Sequence, residues 1–452
     1  MDTFKPIKQY YAELQNQGLT DLAAISEKLY DYQKKQQELG LFSQNGFTKK
    51  GSDSAATIIG AFNVPEQDCI LWCINHYLGL NRSQSVIDKS CAAIRQYGTG
   101  AGTSAMSGGM SSLHKEIESR IGKLMDKEAV LLFPTGYTAN LGCLSILPGK
   151  NDIILFDREC HASMIDGIKL SGKKWIPFDH NSVEDLEDKI AKFTGKYENI
   201  LVVLESAYSM SGDLAPLKEI CALKSKYRFY MYVDEAHTFG IYGKDGAGYC
   251  AELGVSSDVD FIVSTLSKAT ASIGGFVATQ AKYIPLIMWG ANSYIFQACL
   301  SPGDAATILA SLDEIKNNPD LVKSLHEKNK YMRDRLTRMG FDLGKSQSPI
   351  IPIYISDVQT LMTFNRELFS RGIFSVSVVY PAVKPKEGRI RLILNTSHTK
   401  TQIDKTVEIL SELAEKYNII SKQNVSTDAQ PTFNDYLLAL TAKQEELASA
   451  EK

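Results

Sequence analysis

Between about residue 68 and residue 300, short apolar runs recur at the spacing of strands joined by crossover helices. No other feature restricts the fold so tightly. The runs are AVLLF near 129, DIILF near 152, ILVVLES near 200, FYMYVDEAH near 229 and DFIVSTLSK near 260. Each is apolar throughout instead of alternating, as strands covered on both faces of a parallel sheet are, and the helical patterns between them supply the crossovers. This predicts a large α/β domain over 61–300. A helical arm over 1–60 precedes it, with Leu22, Ile25 and Leu29 at helical spacing. After Pro302, long charged helices, strands at PIIPIYI and GRIRLIL, and a last helix near 402–416 predict a smaller α+β domain over 301–420. SKQNVSTDAQP reads as a linker, and FNDYLLALTAKQEELASAEK as an amphipathic helix, together filling 421–452.

Composition narrows the function classes. The 452 residues carry 49 basic and 52 acidic side chains, a formal charge of -3. A nucleic-acid partner or an anionic membrane would call for a basic excess, so neither is expected. No apolar run reaches the roughly 20 residues a membrane helix needs, and MDTFKPIKQYYAELQ lacks a signal-type apolar core, so a cytoplasmic location is expected. The eight cysteines have neither CxxC nor Cys/His spacing. They read as reduced, mostly buried small hydrophobes, and no metal site is predicted.

Open parallel sheets present ligands at the carboxyl ends of their strands, so polar residues that terminate apolar runs are the first candidates. FYMYV is followed by Asp234-Glu235-Ala236-His237, DFIVS by Thr265-Leu266-Ser267-Lys268, and DIILF by Asp157 with His161 four residues on. A carboxylate, a lysine and histidines delivered to one crevice suit pyridoxal phosphate (PLP). Lys268 is the Schiff-base candidate, because a lysine of lowered pKa serves that chemistry. Asp234 would keep the pyridine nitrogen protonated, His237 would reach the phenolic oxygen, and His161 would stack on the ring.

The cofactor's phosphate needs N–H donors and hydroxyls. Pro134-Thr135-Gly136-Tyr137-Thr138-Ala139-Asn140 follows a run and opens a helical pattern, so the amides of Gly136 and Tyr137 are placed to face an anion at a helix N-terminus. Thr265 and Ser267 add hydroxyls beside the lysine. Two competing motifs fall away. Asp-Glu-Ala-His matches a box of nucleic-acid helicases, but no GxxxxGK[ST] loop accompanies it. Gly98-Thr-Gly100-Ala-Gly102 is preceded by a helical pattern, CAAIRQY, where a dinucleotide fingerprint demands a strand, and it reads as a mobile loop near the active site.

From about residue 68 to 415 the sequence resembles the α-oxoamine synthases, a fold-type I PLP family. The resemblance is carried by Cys73-Ile74-Asn75-His76-Tyr77-Leu78-Gly79-Leu80, the Thr-Gly-Tyr-x-Ala-Asn turn, His161-Ala162-Ser163 and Tyr208-Ser209-Met210-Ser211-Gly212-Asp213. It continues through Asp234-Glu235-Ala236-His237, Thr265-Leu266-Ser267-Lys268-Ala269, Gly274-Gly275, and Arg389-Ile390-Arg391 with His398. It implies a large domain with a mostly parallel seven-stranded sheet, a smaller α+β domain, and a homodimer. It also implies decarboxylative condensation of an amino acid with an acyl thioester presented by CoA or an acyl-carrier protein. Arg391 and Arg389 would meet the substrate carboxylate, with Asn75 adding a hydrogen bond.

The departures from the family pattern bear on substrate. Thr103-Ser104-Ala105-Met106-Ser107-Gly108-Gly109 lacks the Arg or His common in relatives. Phe296-Gln297-Ala298 replaces a hydroxyl-bearing segment that contacts the neighbouring subunit, and Tyr380-Pro381-Ala382-Val383-Lys384-Pro385 replaces a proline-rich turn. Lys384 and Lys386 near the arginines would suit an amino acid with a second anion. The leading expectation is a long-chain donor, giving a sphingoid base from serine or a sulfonolipid precursor from cysteate. A short-donor synthase using alanine or glycine, and a silent partner subunit, are the alternatives; the presence of Lys268 argues against the last.

Overall fold

The computed structural model describes residues 4–41, 43, 46–384 and 386–420. The predicted linker and C-terminal helix over 421–452 lie outside the described residues. The chain forms two units: residues 75–209 with 213–322, and residues 1–74 with 210–212 and the segment from 323 onward.

The first unit is built on seven strands: β1 (Ala129–Phe133), β2 (Ile153–Asp157), β3 (Lys174–Phe178), β4 (Ile200–Glu205), β5 (Tyr230–Asp234), β6 (Phe261–Thr265) and β7 (Gly275–Thr279). Their order is β1-β7-β6-β5-β4-β2-β3. Only β7 runs against the rest, pairing antiparallel with both β1 and β6. The five runs read from the sequence are therefore all parallel strands. β3 and β7 complete the sheet; β3 is half-exposed and carries Pro177, which blurs its signal.

Alternation within the strands splits the core into two layers. Ile153, Leu155, Val202, Leu204, Met231 and Val233 pack on one face. Ile154, Phe156, Leu201, Val203, Tyr232 and Val263 pack on the other. Both layers are covered by helices, so the strands carry almost no polar residue until their last position. Burying one Leu or Ile side chain stabilises by roughly 1.5–3 kcal/mol, which fixes the register and with it the residue that ends each strand.

The second unit contains two small sheets. Phe47–Thr48, Ala55–Ile59, Glu66–Leu71 and Ile373–Phe374 form one. Ile350–Tyr354, Arg389–Ile393 and Val376–Val378 form the other, with Arg389–Ile393 central. The helices predicted for the N-terminal arm are present, Ile7–Asn16 and Leu22–Glu38, but the boundary at 60 does not describe the grouping. Residues 1–74 belong with the C-terminal part because Glu66–Leu71 pairs in parallel with Ile373–Phe374 and the Phe62 ring sits 5.1 Å from Phe369. Such pairing between distant segments is invisible to local periodicity. Of the expected helical stripe only Ile25 is buried, and Leu22 is exposed.

Candidate active site

Strands β2, β4, β5 and β6 end in Asp157, Glu205, Asp234 and Thr265. Parallel register sets Glu205 directly beside Asp234. The chain then turns, and the residues just beyond these ends line a cavity of about 240 Å³. Its walls are Thr135, Gly136, Tyr137, Asn140, His161, Ser163, Glu205, Asp234, Ala236, His237, Thr265, Ser267 and Lys268. Every residue expected at the cofactor is therefore in one place.

The helix Gly136–Ile146 begins at this cavity. Thr135 caps it, its hydroxyl accepting from the Thr138 N–H at 3.0 Å while Thr138 Oγ1 accepts from the Thr135 N–H at 3.1 Å. Gly136 is required by close approach: a Cβ there would lie 2.7 Å from Thr265 Cβ. Across the sheet a Cβ on Gly275 would lie 2.4 Å from the Thr135 carbonyl. The two glycines let the turn press against β6 and β7, which brings Thr265 and Ser267, hydrogen-bonded to each other at 2.7 Å, to the helix N-terminus. Hydroxyls beside unpaired N–H groups make a cradle of the size and donor type a phosphate takes.

Asp234 is buried, and both its oxygens are held. Oδ2 accepts from Asn140 Nδ2 at 2.7 Å, and Oδ1 accepts from the Ala236 N–H at 2.8 Å. Asn140 is itself fixed by the Tyr232 hydroxyl, which donates to its Oδ1 at 2.8 Å. His161 begins the helix Ala162–Leu170, with Nδ1 2.7 Å from Ser163 Oγ. Burial pushes its pKa down against the opposing pull of Asp234, so the ring is neutral at pH 7. Lys268 Nζ lies 2.9 Å from His237 Nε2. The ring expected to meet a phenolic oxygen is here in contact with the lysine.

Glu205 is the residue that reading the sequence missed. It is buried, accepts a hydrogen bond from the His161 N–H, and has its pKa pushed well above the carboxylate range by burial and then by Asp234. It ends an apolar run as Asp234 does, so the same strand-end rule would have found it. Asn140 and Ser163 also went unassigned, since nothing in their local pattern separates them from ordinary helix residues.

Asn75 opens the first unit; it is half-buried, with Oδ1 lacking a hydrogen-bond partner, and it is not among the lining residues. Arg389 and Arg391 lie two apart on one strand of the second unit and have different surroundings. Arg389 is buried over the Tyr354 ring at 4.4 Å, donating to Tyr354 Oη, the Met210 carbonyl and the Glu387 carbonyl. Those contacts engage its guanidinium internally, so the expectation that it binds substrate gives way to a structural one. Arg391 is half-buried with Nη1 3.6 Å from Met210 Sδ. Phe296 is 82% exposed. No helix among the described residues is long and apolar enough to cross a membrane.

Comparison with known proteins agrees with this geometry. Residues 67–410 match the family model for aminotransferase class I and II. A serine palmitoyltransferase of Bacteroides thetaiotaomicron is 37% identical over 344 residues, covering 76% of this chain and 87% of that protein. An 8-amino-7-oxononanoate synthase of Thermoanaerobacter pseudethanolicus is 32% identical over 403 residues, covering 89% and 100%. Among solved structures, a serine palmitoyltransferase of Sphingomonas wittichii superposes with a TM-score of 0.83 at 29% identity over 89% of this chain and all of that one. An 8-amino-7-oxononanoate synthase of Francisella tularensis gives 0.68 at 25% identity over 78% and 99%.

Proposed function

The chain belongs to the aminotransferase class I and II family and, within it, to the PLP-dependent α-oxoamine synthases, and from that premise we propose that it condenses serine with a long-chain acyl thioester. The condensation of an amino acid with an acyl thioester is the family's reaction; the choice of partners is the proposal. The observation that carries it is the closer superposition on serine palmitoyltransferase, 0.83 over 89% of the chain against 0.68 over 78% for the oxononanoate synthase. Sequence identity alone does not divide them, since 37% and 32% are near each other.

The roles follow from the cavity. PLP supplies an electron sink for the carbanion at the amino acid's α-carbon when it is bound. Lys268 is the amine that would hold the cofactor and then move the α-proton. Asp234, its oxygens fixed by Asn140 and the Ala236 N–H, would keep a proton on the ring nitrogen. Neutral His161 would lie on the ring face, because an uncharged imidazole stacks without placing a cation over a protonated ring. His237 would meet the phenolic oxygen, and the Gly136 and Tyr137 amides with Thr265 and Ser267 would take the phosphate. Arg391 would grip the substrate carboxylate with its planar fork, with the Asn75 side-chain amide N–H donating a further hydrogen bond.

Exposed Trp289 and Phe296 support a homodimer, which light scattering checks. For substrate, purified enzyme is given serine, cysteate, alanine or glycine together with acyl-CoA or acyl-carrier-protein donors of increasing chain length, and products are weighed by mass spectrometry. Serine with donors near sixteen carbons is expected to turn over fastest. Preference for cysteate would instead mark Lys384 and Lys386 as a second anion site. Preference for alanine with a short donor would overturn the long-chain assignment.

A further inference from the structure

We propose that Tyr77 is a positioning residue that fixes the ring of His237 and stabilises a proton on its Nδ1, so that Nε2 takes and returns the proton of Lys268. Tyr77 is 1% exposed, and its Oη lies 2.6 Å from His237 Nδ1. On the far side of the same imidazole, Nε2 lies 2.9 Å from Lys268 Nζ. The Tyr77 ring meets the imidazole edge-on, with centroids 6.1 Å apart and planes at 73°. The three side chains form one line in the first unit, from a buried phenol to the amine in the cavity.

A phenol ordinarily ionises near pH 10, so Tyr77 stays protonated at neutral pH, and its oxygen both donates and accepts. When Lys268 is an ammonium, Nε2 accepts from Nζ and Nδ1–H donates to Tyr77 Oη. When the proton passes from Nζ to Nε2, the lysine becomes a neutral amine and the imidazole a cation. The Nδ1–H bond to Tyr77 is kept, and no side chain rotates. Facing groups modulate the equilibrium: Lys268 opposes charge on His237, while the Asp234 carboxyl in the same cavity favours it; Glu205, its pKa pushed well above the carboxylate range by burial, adds little, and His161 is neutral. An imidazole with Phe opposite Nδ1 would hold its second proton less firmly, because the Nδ1–H bond to Tyr77 is stronger when the ring is charged, and that surplus is lost.

The inference rests on the reading of Lys268 as the cofactor amine, but its test does not. Cofactor-free protein labelled with nitrogen-15 histidine is titrated by NMR, with the His237 signals identified by their absence in His237→Gln. Tyr77→Phe is expected to lower the His237 pKa by about one unit, a tenfold change in proton affinity. In wild type, the Cζ shift of carbon-13 tyrosine at Tyr77 is expected to follow the His237 midpoint, which needs no variant of Tyr77 and stands if Tyr77→Phe fails to fold. An unchanged His237 pKa in folded Tyr77→Phe, or a Tyr77 signal indifferent to the His237 titration, overturns the proposal. Failure of wild type to bind PLP would overturn the cofactor reading and leave this result standing.

Discussion

His180 in the unit of the seven-stranded sheet and His398 in the other unit are both shielded from water, yet one is a cation and the other neutral. Burial alone lowers a histidine's pKa. At His398 it prevails: the ring stacks on Trp72 at 4.0 Å and 6°, Nδ1 accepts from the Asn395 N–H, Nε2–H donates to the Leu71 carbonyl, and the pKa is pushed down to about 4. At His180 burial is overcome. Nδ1 lies 2.9 Å from Asp157 Oδ1 and Nε2 2.8 Å from Asp213 Oδ2, and the two carboxylates push the pKa up to about 10. The lesson is that a parallel sheet gathers the polar ends of several strands at one edge, where charges must be paired with charges. In the other unit a backbone carbonyl and a backbone amide satisfy the ring instead. Arg389 follows this in part, donating to two carbonyls and a tyrosine, but it also pairs with the Glu387 carboxylate at 3.4 Å.

The comparison can be broken at several levels. Lys268→Ala, within the charged edge, is expected to cut turnover by more than about 10³-fold, read as product formed per mole of enzyme, if the lysine is the proposed cofactor amine and proton carrier. Residual activity near wild type would show that the edge is only structural.

The two histidines predict opposite slopes of stability with pH. For His180 the folded pKa is above the unfolded value near 6.5, so its contribution is complete below pH 6.5 and disappears as pH rises through 10; for His398 the folded pKa is below it, so its contribution is complete above pH 6.5 and disappears as pH falls through 4. By linkage the contribution is roughly 5 kcal/mol for His180 and roughly 3 kcal/mol for His398. Denaturant unfolding of His180→Gln should flatten the alkaline limb alone, and His398→Gln the acid limb alone. Matching changes in both limbs would erase the distinction.

The smallest effect belongs to the second unit's arginines. Arg391→Ala is expected to raise KM for the amino acid by roughly 10- to 100-fold, as loss of a charge-assisted fork does, with PLP binding intact. Arg389→Ala should instead lower the melting temperature and leave KM nearly unchanged. If Arg389→Ala moved KM as far as Arg391→Ala, both arginines would be at the substrate.

The strand ends were readable from sequence because short β-branched apolar runs alternating with helical patterns read as doubly covered strands, and the first polar residue after such a run emerges at an edge. Asp157, Asp234, Thr265 and, by that rule, Glu205 are fixed this way; Lys268, His161 and His237 follow a few residues on. Tyr77 and Asn140 were not readable for their roles, since what assigns them is a partner 160 and 94 residues away.

By itself the sequence determined the α/β sheet, its polar edge and the residue types a PLP enzyme needs, because burial of apolar runs and helix N-terminal geometry act over a few residues. Only the tertiary structure decided that residues 1–74 belong with the C-terminal part, that Arg389 is engaged while Arg391 lies half-buried, and that His180 is charged while His398 is neutral. Each depends on neighbours brought from far along the chain, and a buried group's charge is set by those neighbours and not by its own chemistry.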